Sequence, residues 1–268
     1  MNKIGIVILS LLLSMSIVGK CSADSVMIDP GHGGSDSGAI SYDNTLEEKD
    51  LNLDTALAVI EELKKHGVTV YATRTDDTYV SLQNRSRMAN KITDLDLFVS
   101  IHHNACESPS VNRGEVIYSV KEKESQRLAE CIGKKMKQIG DMEIKIYNRY
   151  NARGTDYYSV LRNTKATSVI VEISFITSEE GVALVDTPEE RKQNGILVAQ
   201  GIMDYFGIDY IKHDITKQAI PKQNDKVVNE KDETEVKVKT GIDLINSILR
   251  RNSNRNTVLD KLLSMLKQ

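Results

Sequence analysis

The 268-residue chain reads as an α/β domain, short strands alternating with amphipathic helices, followed by a charged linker and a small helical tail. Three observations predict this. From residue 25 onward, runs rich in Val, Ile, Tyr and Phe alternate with stretches whose apolar residues recur at helical spacing, the pattern of strands joined by crossover helices. The alternation stops near Ile208, and residues 209–240 then carry seven Lys and seven acidic residues with few large apolar ones, too little apolar surface to form a core. Beyond Gly241 apolar periodicity returns, at Ile242, Ile245, Ile248 and Leu249 and then from Val258 to Leu266, as two short amphipathic helices.

Residues 1–23 precede the domain as a signal peptide: Lys3, an apolar run from Ile4 to Val18, and the small residues Cys21, Ser22 and Ala23 at the cleavage position. The run is shorter than the ~20 residues that span a bilayer, so cleavage after Ala23 is favoured over an uncleaved anchor. A lipid-modified Cys21 is disfavoured by Lys20, which stands where such sites take a small residue. The expected location is therefore secreted, outside the cytoplasmic membrane.

Residues 24–208 form the expected catalytic domain. Strands are predicted at residues 25–29, 68–73, 95–101, 115–120 and 168–174. Between the first two, Leu53, Leu57, Ile60 and Leu63 recur at spacings that predict a helix over 48–66, stopped by Gly67. Further helices fit residues 81–91, 125–139 and 189–206, the last preceded by Thr187 and Pro188 in a helix-start arrangement.

Charge and cysteine usage narrow the function classes. Without residues 1–23 the chain holds 33 basic and 38 acidic residues, and nothing in that balance points to nucleic acid. Residues 24–208 hold 21 basic and 29 acidic residues, whereas the tail from 241 holds five basic and two acidic ones. That basic amphipathic tail is a candidate contact for anionic wall polymers, a membrane surface or a second copy of itself, the alternative being a packing appendage. Cys106 and Cys131 can pair, but two cysteines do not make a disulfide scaffold. No internal repeat stands out.

The chemistry-bearing residues gather where strands end. His32 lies in Asp29-Pro30-Gly31-His32-Gly33-Gly34 after the first predicted strand, in a loop whose glycines let a ligand approach. His102, followed by His103 and Asn104, ends the strand Leu97-Phe98-Val99-Ser100-Ile101. Ligands bind outside the carboxyl ends of strands in open α/β sheets, so the topology brings these loops together. Glu48, with Glu47 as its immediate rival, begins the predicted helix and supplies a third donor. Zinc held by two imidazoles and one carboxylate keeps an open position for water. Glu172, in Val169-Ile170-Val171-Glu172-Ile173-Ser174-Phe175, is an unusual acid within an apolar strand, suited to general acid/base work, with a pKa raised by burial. Taken singly each signal is weak; their joint occurrence is not. Cys106 is set aside as a fourth ligand, because a closed four-ligand site excludes the water. His66 is explained by its place at a helix C-terminus.

These residues carry a resemblance. Ile28-Asp29-Pro30-Gly31-His32-Gly33-Gly34, Glu48-Lys49-Asp50-Leu51-Asn52-Leu53, Thr73-Arg74-Thr75-Asp76, Asn84-Arg85, Ala89-Asn90, Phe98-Val99-Ser100-Ile101-His102-His103-Asn104-Ala105, Val160-Leu161-Arg162 and Val171-Glu172-Ile173-Ser174-Phe175-Ile176 stand in an order similar to that of the zinc-dependent N-acetylmuramoyl-L-alanine amidases of the Amidase_3 type. The likeness runs from about Val26 to Phe206. It implies a single mixed, mostly parallel sheet flanked by helices, zinc (Zn2+) ligands at His32, Glu48 and His102, Glu172 as catalytic acid/base, and peptidoglycan as substrate. It selects Glu48 over Glu47 and makes His103 a neighbour of the site. The departures, Ser37 where the family usually has Pro and Ser178 where Asn is common, touch no implied ligand.

The expected function is zinc-dependent hydrolysis of the amide bond between N-acetylmuramic acid and L-alanine. Its rivals are a zinc peptidase cutting wall peptides, a wall-binding module without catalysis, and a structural secreted protein. Asn104 and the backbone at Gly33 and Gly34 are candidate donors to substrate, and Arg153 and Arg162 candidate partners of stem-peptide carboxylates. Arg74 and Arg85 read as structural.

Overall fold

A computed structural model of the chain describes residues 24–210. The predicted signal peptide, the helical tail, and the linker from residue 211 onward lie outside the described residues. Six strands form one sheet: β1 (Ser25–Pro30), β2 (Thr69–Ala72), β3 (Leu97–Asn104), β4 (Gly114–Tyr118), β5 (Ile144–Tyr147) and β6 (Thr167–Phe175). Their order is β2-β1-β3-β6-β4-β5. All ladders are parallel except β4 against β6, so the sheet is mixed and mostly parallel, as the resemblance implies.

Among the described residues six helices accompany it: α1 (Glu48–Lys65), α2 (Leu82–Lys91), α3 (Lys123–Met136), α4 (Ser159–Asn163), α5 (Glu179–Val182) and α6 (Pro188–Phe206). β1, β3 and β6 are central and buried on both sides, which is why they read as near-continuous apolar runs. Alternate side chains divide between two cores. Met27, Phe98, Ile117 and Ile170 pack with Ala89 of α2 and Val160 and Leu161 of α4. α1 packs on β1 and β3, α3 packs on β4, β5 and β6, and α6 packs against both α1 and α3.

The start of α6 is fixed by Thr187 and Glu190, whose side chains each accept from the other's backbone N–H, with Pro188 at the first helical position. At Gly201 a Cβ would lie 2.5 Å from the Cα of Ile132, so only glycine allows α6 this close to α3. Among the described residues no helix is long and apolar enough to cross a membrane. Cys106 and Cys131 are both free thiols.

The structure differs from the expected elements at one strand end and in three short elements. β3 continues through His102 to Asn104, with a register shift against β6 between His102 and Asn104; polar side chains there obscure a strand whose backbone still pairs. β5 is four residues of an edge strand, and α4 and α5 span five and four residues. Runs this short carry too few turns of periodicity to be read from the chain.

Candidate active site

The carboxyl ends of β1, β3 and β6 open on a cleft of about 330 Å3 lined by His32, His102 and Glu172 together with Asp36, Tyr79 and Tyr158. Each functional side chain arrives on a rigid element. His102 and Glu172 are register partners on β3 and β6. His32 stands two residues past β1, and Glu48 is the first residue of α1, where a carboxylate is favoured by the helix dipole.

His32, Glu48 and His102 converge. Their ligand-capable atoms all lie within 4.8 Å of one another. Glu48 Oε1 is 2.9 Å from His102 Nδ1, and Oε2 is 3.2 Å from His32 Nε2. The imidazole rings meet edge to face, with centroids 5.0 Å apart. Two imidazoles and one carboxylate at this spacing match the donor set that holds zinc with an open coordination position, so these residues fit that ion. Glu47 stays outside the cluster, paired with Lys49 at 3.3 Å.

Glu48 is buried and heavily bonded. Burial raises its carboxyl pKa, but hydrogen bonds from His102 and His32 outweigh it and hold the group well below its ordinary value. Burial pulls the His32 imidazole down, and Glu48 and then Asp36, 2.9 Å from Nδ1, more than restore it, leaving it raised. Oε1 of Glu48 also accepts from Asn52 Nδ2 at 3.2 Å and from the His103 backbone N–H at 3.3 Å; Oε2 accepts from Ala39 N–H at 2.9 Å. Asn52 is held in turn by His103, 2.8 Å away. His103, on the opposite side of β3 from His102, is kept neutral by burial, which lowers its pKa to about 3.

The His32 loop is pinned by two buried arginines. Arg74 donates to the carbonyls of Pro30, Gly31, Lys49 and Asp76. Arg85 donates to the His32 carbonyl at 2.6 Å and pairs with buried Asp29 at 2.7 Å. Asp29 accepts further from Thr73 and Ser100 at 2.6 and 2.7 Å. His32 itself adopts φ 59°, a left-handed conformation that a non-glycine residue keeps only when its surroundings over-determine it. A Cβ at Gly31 would collide with the His102 ring, so the glycine lets that ring lie over the loop.

Glu172 faces the same cleft under opposite conditions. Its Oε2 has no hydrogen-bond partner. Burial first, and then the negative charges of Glu48 and Glu115, push its carboxyl well above the ordinary value. Glu115 is the register partner of Glu172 on β4 and is itself satisfied by Arg113 at 2.6 Å, Tyr147 at 2.8 Å and Asn104 at 3.2 Å.

Several expected substrate donors are already engaged. The Asn104 amide donates to Glu115 while its oxygen accepts from Ala105 N–H. Gly33 N–H is bonded to Asp36 and Gly34 N–H to Asp77. Arg162 is held by the carbonyls of Asp156 and Tyr157. Cys106 donates to the Ser108 carbonyl and is no part of the cluster. Asp36, Asn52, Asp29 and Glu115 were not singled out from the sequence; Asp29 and Asn52 do lie within the motif runs, but nothing in their spacing reveals which atom they touch.

Comparison with known proteins agrees with this geometry. Residues 26–204 match the model of the family Amidase_3, N-acetylmuramoyl-L-alanine amidase. The chain is 34% identical over 183 residues to the probable cell wall amidase LytH of Staphylococcus aureus, covering 68% of this chain and 58% of that protein. It therefore spans under two thirds of the length of the curated relatives it matches. Cwp6 from Clostridium difficile is 38% identical with a TM-score of 0.66, covering 69% of this chain and 29% of Cwp6. The catalytic domain of CwlV, an N-acetylmuramoyl-L-alanine amidase from Bacillus (Paenibacillus) polymyxa var. colistinus, is 28% identical with a TM-score of 0.62, covering 69% of this chain and 99% of that domain.

Proposed function

The chain belongs to the Amidase_3 family of N-acetylmuramoyl-L-alanine amidases, and on that premise we propose that it is a zinc-dependent hydrolase cleaving the amide between N-acetylmuramic acid and L-alanine in peptidoglycan. The observation that carries this reading is the pairing, in one cleft, of a His32, Glu48 and His102 donor set with a partnerless carboxyl oxygen on Glu172.

A zinc ion held by His32, Glu48 and His102 would supply a Lewis acid that lowers the pKa of water and polarises a carbonyl oxygen. The chain's own part in the reaction is proton transfer and orientation. Glu172 takes a proton from the attacking water as oxygen adds to the carbonyl carbon. It then delivers that proton to the alanine nitrogen as the C–N bond breaks; the new lactyl carboxyl gives up the water's second proton, leaving a lactyl carboxylate and an alanine ammonium. A carboxyl whose proton affinity is raised by its surroundings is a stronger base than an ordinary carboxylate and, once protonated, can hand the proton on. Asn52 and the His103 N–H fix the Glu48 carboxylate, and Arg74 and Arg85 fix the backbone carrying His32.

Digestion of purified peptidoglycan with the full chain, with and without a zinc chelator, tests the reading by mass spectrometry. Peptide-free glycan and stem peptides beginning with L-alanine, formed only with zinc, are the expected products. Cross-link cleavage with peptides still on the glycan would indicate a peptidase, and wall binding without products a binding module. The reading sets the enzyme outside the membrane, at the wall, with the basic tail touching anionic wall polymers or a membrane surface. N-terminal sequencing of protein from the culture medium tests the export step: a start at Asp24 is expected, and a retained Met1 overturns cleavage.

A further inference from the structure

Nine arginines lie among the described residues. Seven spend their guanidinium groups on acceptors: Arg74, Arg85, Arg87, Arg113, Arg127, Arg162 and Arg191. The other two, Arg149 and Arg153, are exposed, have no side-chain acceptor among the described residues, and stand on one loop, residues 148–157.

The loop is built to a fixed shape. Tyr150 and Asp156 form an isolated bridge, and Tyr157 N–H returns to the Arg149 carbonyl at 2.8 Å. The Asn151 side chain donates to Thr155 and Asp156 and accepts from the Arg153 and Thr155 N–H groups. The loop's one acid, Asp156, is turned inward, buried and bonded to Ser119 and Val120. Its outer surface therefore presents two cations and no anion, on a domain in which acids outnumber bases.

The loop also joins the cleft. The Arg149 guanidinium lies 3.9 Å above the Tyr157 ring, and Tyr157 meets Tyr158 edge to face at 5.2 Å. Tyr158 lines the cleft beside Glu172. A guanidinium stacked on an aromatic face is pre-oriented and keeps its in-plane N–H groups free for a carboxylate. A ligand with one end at Glu172 and negative charges farther along meets this surface next.

We propose that the 148–157 loop is the stem-peptide recognition element of the cleft, with Arg149 and Arg153 taking carboxylates of the peptide and Tyr157 flanking its path. The assignment rests on the amidase reading above, which supplies a peptide leaving from Glu172. Charge complementarity and continuity with the cleft favour the peptide over a separate wall polymer.

The test uses muramyl peptides whose carboxylates are either free or amidated. In the zinc-loaded enzyme, R149Q and R153Q are each expected to raise KM for the free-acid substrate about fivefold. They should leave kcat, and KM for the amidated substrate, unchanged. Calorimetric titration with the corresponding free peptides reads recognition separately from turnover. A preference for the free acid in wild type that the R149Q/R153Q double variant loses upholds the loop's role even where no bond is cut. Absence of turnover on both substrates with zinc bound overturns the amidase reading instead. Equal effects on both substrates, or arginine-dependent binding of poly(glycerol phosphate) without any peptide preference, overturns the loop assignment.

Discussion

Glu48, buried against the two histidines, and Glu172, which lines the cleft beside them, are the same side chain, and their surroundings drive them apart. The Glu48 side is saturated: both oxygens accept hydrogen bonds, two imidazoles lie in contact, and the carboxyl stays ionised. On the Glu172 side the carboxyl has a partnerless oxygen, apolar strand residues around it and two other negative charges nearby, so its affinity for a proton is raised. The contrast shows that a fixed anion and a mobile proton carrier are distinguished by environment alone, and a hydrolytic site needs one of each.

The largest effect that would test this division is on the saturated side. His32→Ala or Glu48→Ala is expected to abolish both stoichiometric zinc binding and turnover, read by metal analysis and peptidoglycan digestion. Full zinc content in either variant removes that residue from the ligand set. Next, Glu172→Gln is expected to slow turnover by about 10²- to 10⁴-fold with zinc content unchanged; a wild-type rate would remove Glu172 from the chemistry.

A third substitution probes the support of the saturated side. Arg85→Ala leaves Asp29 buried without its cation, and urea unfolding should register a loss of about 3–5 kcal/mol. A loss within the range of an exposed ion pair would show that the Asp29 network does not hold the loop.

The smallest effect is a difference in pH dependence, measured by calorimetry on metal-free protein. Glu48 has a depressed folded pKa, so its contribution is present above the unfolded value of about 4.5 and is lost as pH falls through the folded value. Glu172 has a raised one, so between 4.5 and its folded value the native state holds the extra proton, and stability is lost as pH rises. Glu172→Gln should therefore melt above wild type at pH 7, with the advantage shrinking toward pH 4.5, and Glu48→Gln should melt below it. Shifts of the same sign in both variants would contradict the division.

Much of this arrangement was legible in the chain before any coordinates. β1, β3 and β6 are long apolar runs, and the loop after β1 and the end of β3 carry histidines at positions where open α/β sheets bind ligands. Glu172 stood out because an acid interrupts an apolar strand. Choosing Glu48 over Glu47 needed the family resemblance, since adjacent residues at a helix start differ by about 100° of rotation that spacing alone does not resolve. Contacts between distant segments were not legible. Asn52 serves Glu48 through a rotamer held by His103, Asp29 serves His32 through Arg85, and Glu115 lies beside Glu172 only because β4 runs antiparallel to it. The same limit applies to the donors at Asn104 and Arg162, whose internal engagement depends on neighbours 11 and six residues away.

The position of α6 makes the end of the domain a structural keystone. This helix packs against both α1, which lies over one half of the sheet, and α3, which lies over the other. Leu197, Val198 and Ile202 are its buried contacts. α1 and α3 precede it in the chain, and the apolar surface that each turns to α6 is contributed to the core only through this helix. The faces of α1 and α3 that meet α6 therefore find their cover only when the last helix of the domain is in place, so truncation before Pro188 would leave both uncovered.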